Sequence, residues 1–284
     1  MSIYEKENCS IGFTKMSGHG NTFIVIDNFF GSMDVDWSEF ASAWCRYGSS
    51  IDADGLLVIE SSMVSDFMMR IFNSDGSEAE MCGNGARCAS KFAFEKGMAS
   101  SQMTIETLAG IIGANVEGEI VSINLTDTKS PGERFSIDVG GTNHLLYSIN
   151  SGVPHAITFK DHVAEMSADD VKEAGYAIRF HPVFEPEGTN VDFVEVVGSQ
   201  VIRVRAYERG VEAETQACGT GAVAAAIVSY FHTNVGKPPI AVQMPGGILI
   251  VDFKENGSRA EDVWLSGEVK SVYCGKIEAK EVCA

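Results

Sequence analysis

"EMCGNGARC" (residues 80–88) and "QACGTGAVAAA" (residues 216–226) decide how this chain is read. Each sets a cysteine, Cys82 or Cys218, directly before a Gly-x-Gly-Ala run. The flanks agree as well. "RIFNSDGSEAEMCGNGA" (70–86) and "RVRAYERGVEAETQACGTGA" (203–222) both run from an apolar strand through an acidic polar loop into the motif. Beyond each motif comes a further likeness, "TLAGIIGANV" (107–116) and "MPGGILIVDF" (244–253). Self-similarity over about half the chain means a duplicated unit.

Periodicity fills in the units. Residues 13–15 and 22–27 read as a hairpin around "SGHGN". Trp37, Phe40, Ala41, Trp44 and Cys45 recur at helical spacing. Strands are predicted at 56–60, 67–72, 103–107, 111–116 and 121–125. They are predicted again at 144–149, 156–159, 191–197, 201–207, 240–243, 248–253 and 262–265. A helix over 83–95 should stop at Gly97, a favourable C-cap. Residues 219–231 are apolar on all sides and predict a buried central helix. Ser167 and Asp170 start a shorter helix. The fold class is therefore α+β: two similar domains, each with β-strands wrapped around a central helix. "KSPGE" at 129–133 reads as a linker. A last strand near 272–277 is expected to return to the first half. The domains are then 11–128 with 272–284, and 129–271.

The chain has 284 residues, enough for two cores. Its net charge of −18 disfavours nucleic acid or an anionic membrane surface as partner. No apolar run approaches the roughly 20 residues of a membrane span. Met1–Gly12 lacks a signal-peptide pattern. A cytoplasmic location is the resulting expectation. The seven cysteines are odd in number, irregular in spacing and include no CxxC pair. That pattern favours reduced thiols and no metal site. Cys9, Cys45, Cys88, Cys274 and Cys283 read as small apolar residues.

Cys82 and Cys218 read differently, because both precede a glycine-flanked helix start. A helix N-terminus carries partial positive charge and unpaired N–H groups. It binds carboxylates and should lower a thiol pKa from about 8.5 toward neutral. Inverting a carbon centre takes a proton from one face and returns one to the other. A thiolate and a thiol can do this in either direction. The carbanion forms beside a carboxylate, which two helix N-termini can stabilise without a cofactor. A redox pair is the alternative use of two such thiols.

Together these motifs resemble the diaminopimelate epimerases. The likeness runs from "FTKMSGHGNTFIVIDN" (13–28) through "GTNVDFV" (188–194) to "YERGVEAETQACGTGA" (207–222). It implies a pyridoxal-phosphate-free, two-domain isomerase with its active site in the cleft between the domains, acting in lysine and peptidoglycan precursor synthesis. By resemblance Cys82 and Cys218 are catalytic. Asn21, Asn73, Asn190, Glu208 and Arg209 contact substrate. The backbone N–H groups of Gly83, Asn84, Gly219 and Thr220 hold the reacting carboxylate. On chemistry alone the three asparagines read equally as turn residues, and Glu208 and Arg209 as a solvated turn. His155 in "SGVPHAIT" is either a proton relay or a satisfied structural histidine. Val153 stands where many family members carry asparagine, and Gly55 where some carry glutamine. Both changes remove polar groups from the expected distal pocket and bear on substrate identity. The partner is a small amino-acid substrate, diaminopimelate, with a homodimer left open. A histidine- or proline-type racemase on the same fold is the runner-up, and a non-catalytic thiol redox or binding protein is the third reading.

Overall fold

The structure, a computed structural model, describes residues 10–278. Cys9, Cys283 and most of the N-terminal segment read for a signal lie outside the described residues, as does the stretch 279–284. The chain divides into two compact units, 1–123 with 268–284, and 124–267.

In the first unit, β1 (Ser10–Gly18) and β2 (Asn21–Asp27) form the expected hairpin. Its two turn residues, His19 and Gly20, both take positive φ (51° and 86°), the twist that suits a two-residue hairpin. Helix α1 (Trp37–Trp44), capped by the Asp36 carboxylate, leads to β3 (Gly55–Glu60), which runs parallel to β2. Antiparallel β4 (Phe67–Asn73) follows, then the two-residue β5 (Glu78–Ala79). Helix α2 (Gly83–Glu95) crosses over to β6 (Gln102–Thr107), which is parallel to β4. β7 (Gly110–Glu117) and β8 (Ile120–Leu125) complete a meander. Gly97, at φ 71°, ends α2: its N–H bonds Phe94 O and that of Met98 bonds Ala93 O, the paired closure of a Schellman motif.

The second unit repeats this order. β9 (Glu133–Val139) and β10 (Thr142–Asn150) form a hairpin, and β11 (Pro154–Phe159) pairs with β10. Helix α3 (Ala168–Arg179) starts in a Ser167–Asp170 capping box and crosses to β12 (Asn190–Gly198), parallel to β11. β13 (Val201–Glu208) and the short β14 (Ala213–Thr215) come next. Helix α4 (Gly219–His232) crosses over to β15 (Ile240–Met244), parallel to β13. β16 (Gly247–Asn256) and β17 (Arg259–Glu278) close the order. In each unit the strands surround one helix. α2 touches β1, β2, β3, β4, β6 and β7, and α4 touches β10, β11, β12, β13, β15 and β16. Residues Gly221 to Ser229 of α4 are all buried, as its all-round apolarity predicts.

Three expectations need correction. The strands predicted separately at 262–265 and 272–277 are one strand of 20 residues. It is this long because residues 259–266 pair with β16 and residues 269–278 pair with β1. β9 follows the expected linker directly and carries too weak an apolar alternation to be read. Cys274, taken as apolar and buried, is exposed on β17, with its Sγ 3.4 Å from Thr14 Oγ1. Among the described residues no helix is long and apolar enough to cross a membrane.

Candidate active site

Both motif cysteines sit at helix N-caps in extended backbone, Cys82 at φ −144°, ψ 122° and Cys218 at φ −111°, ψ 109°. Their carbonyls take the first helical bonds, from Ala86 and Ala222. The amides of Gly83 and Asn84, and of Gly219 and Thr220, therefore have no acceptor within their own helices. The glycines three residues after each cysteine are there for space. A Cβ on Gly85 would lie 3.1 Å from Leu57 Cδ2 and 3.2 Å from Ile71 Cδ1. One on Gly221 would lie 2.5 Å from Asp192 Oδ1 and 3.2 Å from Cys218 Sγ.

In the second unit the structure gathers a polar group around Cys218. Its Sγ lies 3.4 Å from the Gly221 N–H and 3.5 Å from Thr220 Oγ1. Thr220 Oγ1 is 3.0 Å from His155 Nε2, and His155 Nδ1 is 2.6 Å from Asp192 Oδ2. Asp192 accepts from Nδ1–H, so Nε2 is free to accept from the threonine hydroxyl. The Asn190 amide, 3.4 Å from Nε2, donates to Pro154 O at 3.2 Å, and its Oδ1 accepts the Arg209 backbone N–H at 2.8 Å. His155 and Asp192 are fully buried. The result is a continuous path from thiol to threonine to histidine to aspartate.

The electrostatics of Cys218 correct one expectation. The helix start was expected to lower its pKa; burial and then the Glu208 and Asp192 carboxylates push it well above the ordinary value instead. The Thr220 and Gly221 hydrogen bonds act the other way and are outweighed. Two nearby negative charges and desolvation disfavour a thiolate more than one helix terminus favours it. Glu208 is itself pushed up, first by burial, while hydrogen bonds from Thr215 and Cys218 pull it back. Arg209 is only half-buried. Its guanidinium donates to Glu187 O at 3.1 Å and pairs with no carboxylate among the described residues.

In the first unit, Asn84 and Asn21 meet: the Asn84 amide donates to Asn21 Oδ1 at 2.5 Å. Asn84 is buried and its Oδ1 accepts from Arg87 at 2.6 Å. Asn73 lies apart from these two, exposed at the end of β4, where its amide donates to Ser77 Oγ at 3.0 Å. That is the turn arrangement anticipated as its alternative reading. Cys88 is fully buried, and burial pushes its pKa up to about 12. Sequence reading missed Asp192 and Arg87. Asp192 is a lone carboxylate inside the apolar run "NVDFV", and Arg87 a lone cation between Ala86 and Cys88. Each was visible as a charge at a position the pattern marks for burial.

The duplicated α+β unit is a fold shared with proteins of several activities. A hydroxyproline epimerase from Agrobacterium vitis, solved with trans-4-hydroxy-L-proline, superposes with a TM-score of 0.69 at 13% identity, covering 94% of this chain and 92% of that one. A PhzF-family phenazine biosynthesis protein from Bacillus anthracis gives 0.70 at 15% identity, covering 95% and 99%. Sequence is more specific. The family profile for diaminopimelate epimerase matches residues 13–128 and 147–272. The diaminopimelate epimerase of Aquifex aeolicus is 42% identical over 277 residues, 93% of this chain and 97% of that protein. That of Caldanaerobacter subterraneus subsp. tengcongensis is 44% identical over 284 residues, 94% and 99%. The chain belongs to the diaminopimelate epimerase family.

Proposed function

We propose that this protein interconverts LL- and meso-diaminopimelate without pyridoxal phosphate, one cysteine acting as base and the other as acid. The observation that carries the reading is the repetition of an N-cap cysteine at the start of each unit's central helix. It is supported by relatives of that name matched over nearly their full length. In this reading the amides of Gly83 and Asn84, with those of Gly219 and Thr220, receive the carboxylate next to the reacting carbon. They stabilise the charge that builds as the α-proton leaves. Cys218, held as a thiol by burial and two carboxylates, is suited to donate a proton. In the reverse direction Cys218 must become the base, and Thr220 and His155 offer a route for its proton. The thiol gives its proton to the threonine oxygen as the threonine gives its own to Nε2, with Asp192 holding the imidazole in the accepting tautomer. Asn21, Asn73 and Asn190 are assigned to substrate, with Glu208 for an ammonium and Arg209 for the distal carboxylate. The domain division at 11–128 with 272–284 and 129–271, a cytoplasmic setting and a homodimer belong to the same proposal. The substrate is a small dibasic, dicarboxylic amino acid; nucleic acid and membrane have no part in it.

Incubation of the protein with LL-diaminopimelate, followed by chiral chromatography, should yield the meso form up to equilibrium. Absence of conversion with reduced, folded protein would remove this reading in favour of the thiol redox or binding alternative. The glycine pair gives a sharper expectation. Gly221→Ala drives a methyl into Asp192 Oδ1 and against the Cys218 thiol. Turnover should fall at least about a hundredfold, the scale of an ångström-level misplacement. Gly85→Ala meets the flexible ends of Leu57 and Ile71 most closely, with Cys82 Cβ at an ordinary contact distance of 3.6 Å. It should cost about 1–3 kcal/mol of stability, as overpacking does. Initial rates and denaturant melts of the two variants check both statements.

A further inference from the structure

The turn that carries Arg209 is tied down by a carboxylate the mechanism does not use. Glu212 closes the turn between β13 and β14. Its Oε1 accepts from Arg179 Nε at 3.0 Å, from Arg179 Nη2 at 2.9 Å and from the Gly210 N–H at 2.9 Å. Its Oε2 accepts from the Tyr207 hydroxyl at 3.1 Å. Its own N–H donates to Glu208 O at 2.8 Å, with φ at 56°. A non-glycine residue keeps a positive φ only where its surroundings hold it there. Glu208 and Gly210, the chain neighbours of Arg209, are thus both bonded to Glu212. Arg179, the last residue of α3, packs against the facing loop. Its guanidinium lies over the Phe180 ring, 4.6 Å from the centroid. A Cβ on Gly188, at φ 69°, would fall 1.7 Å from Arg179 Nη1, so the 187–190 loop needs glycine to pass it. That loop supplies Glu187 O, which accepts the Arg209 guanidinium at 3.1 Å, and Asn190 Oδ1, which accepts the Arg209 N–H at 2.8 Å. One ion pair therefore joins the two segments that hold Arg209. The Arg179 side chain is only 12% exposed, which sets the pair apart from a solvated surface bridge. The matching turn of the first unit, between β4 and β5, is tied to its helix by a neutral bond, Ser38 Oγ to Gly76 O at 2.7 Å. The ion pair is no requirement of the fold; it belongs to the copy whose turn carries Arg209.

We infer that Arg179 and Glu212 are positioning residues, a brace that holds the Glu208–Arg209 turn against the 187–190 loop and so sets selectivity for a substrate with a distal carboxylate. The inference rests on the epimerase reading for its substrate; the brace itself does not. The Glu212 carboxylate is filled by protein donors, so it acts through Arg209 and not on a ligand. A turn fixed in advance presents the Arg209 guanidinium without an ordering cost on binding. Loss of the brace weakens the hold on ground state and transition state alike, which raises KM and leaves kcat nearly unchanged. Damage to the Cys218 half-site would instead lower kcat.

The test is steady-state kinetics with LL-diaminopimelate, beside hydrogen exchange of the Gly210 amide followed by NMR. Glu212→Ala removes the carboxylate, and Gly188→Ala reaches the brace from the other segment by driving a methyl into the guanidinium. In both, KM should rise about tenfold or more, the scale of one charge-assisted contact, with kcat within about threefold of wild type. Gly210 exchange should quicken about tenfold or more in Glu212→Ala. Glu212→Gln keeps an acceptor for the Gly210 N–H but loses the charge, so it should fall between wild type and Glu212→Ala. Glu195→Ala breaks another ion pair of the same unit, Arg203–Glu195 at 2.8 Å, and should leave KM and kcat unchanged. If Glu212→Ala does not fold, Gly188→Ala and Glu212→Gln decide in the same way. An unmoved KM in the folded variants, or a fall in kcat larger than the rise in KM, overturns the inference and leaves the epimerase reading standing. If the wild type converts no diaminopimelate, that reading falls, and exchange decides the brace: faster at Gly210 in Glu212→Ala upholds it, unchanged overturns it.

Discussion

Replacing either Cys82 or Cys218 with alanine should abolish epimerisation, by at least about three to four orders of magnitude, while the protein still folds. The magnitude follows from the chemistry. A positioned acid or base contributes about a hundred- to ten-thousandfold, and inversion needs one on each face, so the remaining thiol cannot complete the cycle. The fold should survive because the cysteines cap helices that their glycines, buried alanines and crossover strands already specify. Each variant removes a single sulfur from one unit. Cys88→Ala is the control: Cys88 is buried, unreactive and has Ala224 as its repeat counterpart. It should leave activity nearly unchanged. Rates with LL-diaminopimelate, paired with circular dichroism of each variant, decide the matter. Full turnover by Cys82→Ala or Cys218→Ala would remove the two-base mechanism.

The second large effect concerns specificity. Alanine, proline and lysine should be turned over at least about a thousandfold more slowly than LL-diaminopimelate. A site built to hydrogen-bond a group rejects analogues lacking it, because its own polar atoms are then left unpaired. Arg209 supports this reading: Asn190 holds its backbone, and its guanidinium pairs with no carboxylate of the described residues. Lysine offers the distal ammonium but not the distal carboxylate, so it tests that contact by itself. Arg209→Met should raise KM for diaminopimelate far more than it lowers stability, since Arg209 is half-buried and its side chain bonds the Glu187 carbonyl and no carboxylate among the described residues. By the resemblance, Val153 stands where many family members carry an asparagine at this end. Faster racemisation of histidine or proline than of diaminopimelate would therefore reassign the distal pocket and bring in the racemase alternative.

Much of this was legible because local chemistry and tertiary structure agree. The bounds of α2 follow from Cys-Gly-x-Gly at its start and Gly97 at its end. α3 begins at its Ser–Asp capping box. α4 is buried because no face of it is polar. The β1–β2 turn lies where His-Gly permits positive φ. The duplication could be read because both copies keep Cys-Gly-x-Gly-Ala and the same order of strand, polar loop and helix around it. What escaped depends on residues distant in sequence. β17 is long because it gains a partner at each end, and nothing local announces that. The Cys218 pKa is raised by burial first and then by Glu208 and Asp192, causes that no helix-start motif contains. Asp192 and His155 stand 37 positions apart in sequence and meet only because β11 and β12 run parallel.

The central claim is that one cysteine removes the α-proton and the other returns a different one. Turnover of LL-diaminopimelate in deuterium oxide, with product and remaining substrate separated at early times and weighed by mass spectrometry, tests it most directly. A proton returned from the opposite thiol comes from solvent. The account therefore predicts one deuterium at the inverted carbon of the meso product and almost none in the unreacted LL form. Meso product carrying the original proton, or deuterium entering the LL form as fast as product appears, would mean that a single base serves both faces and would contradict it.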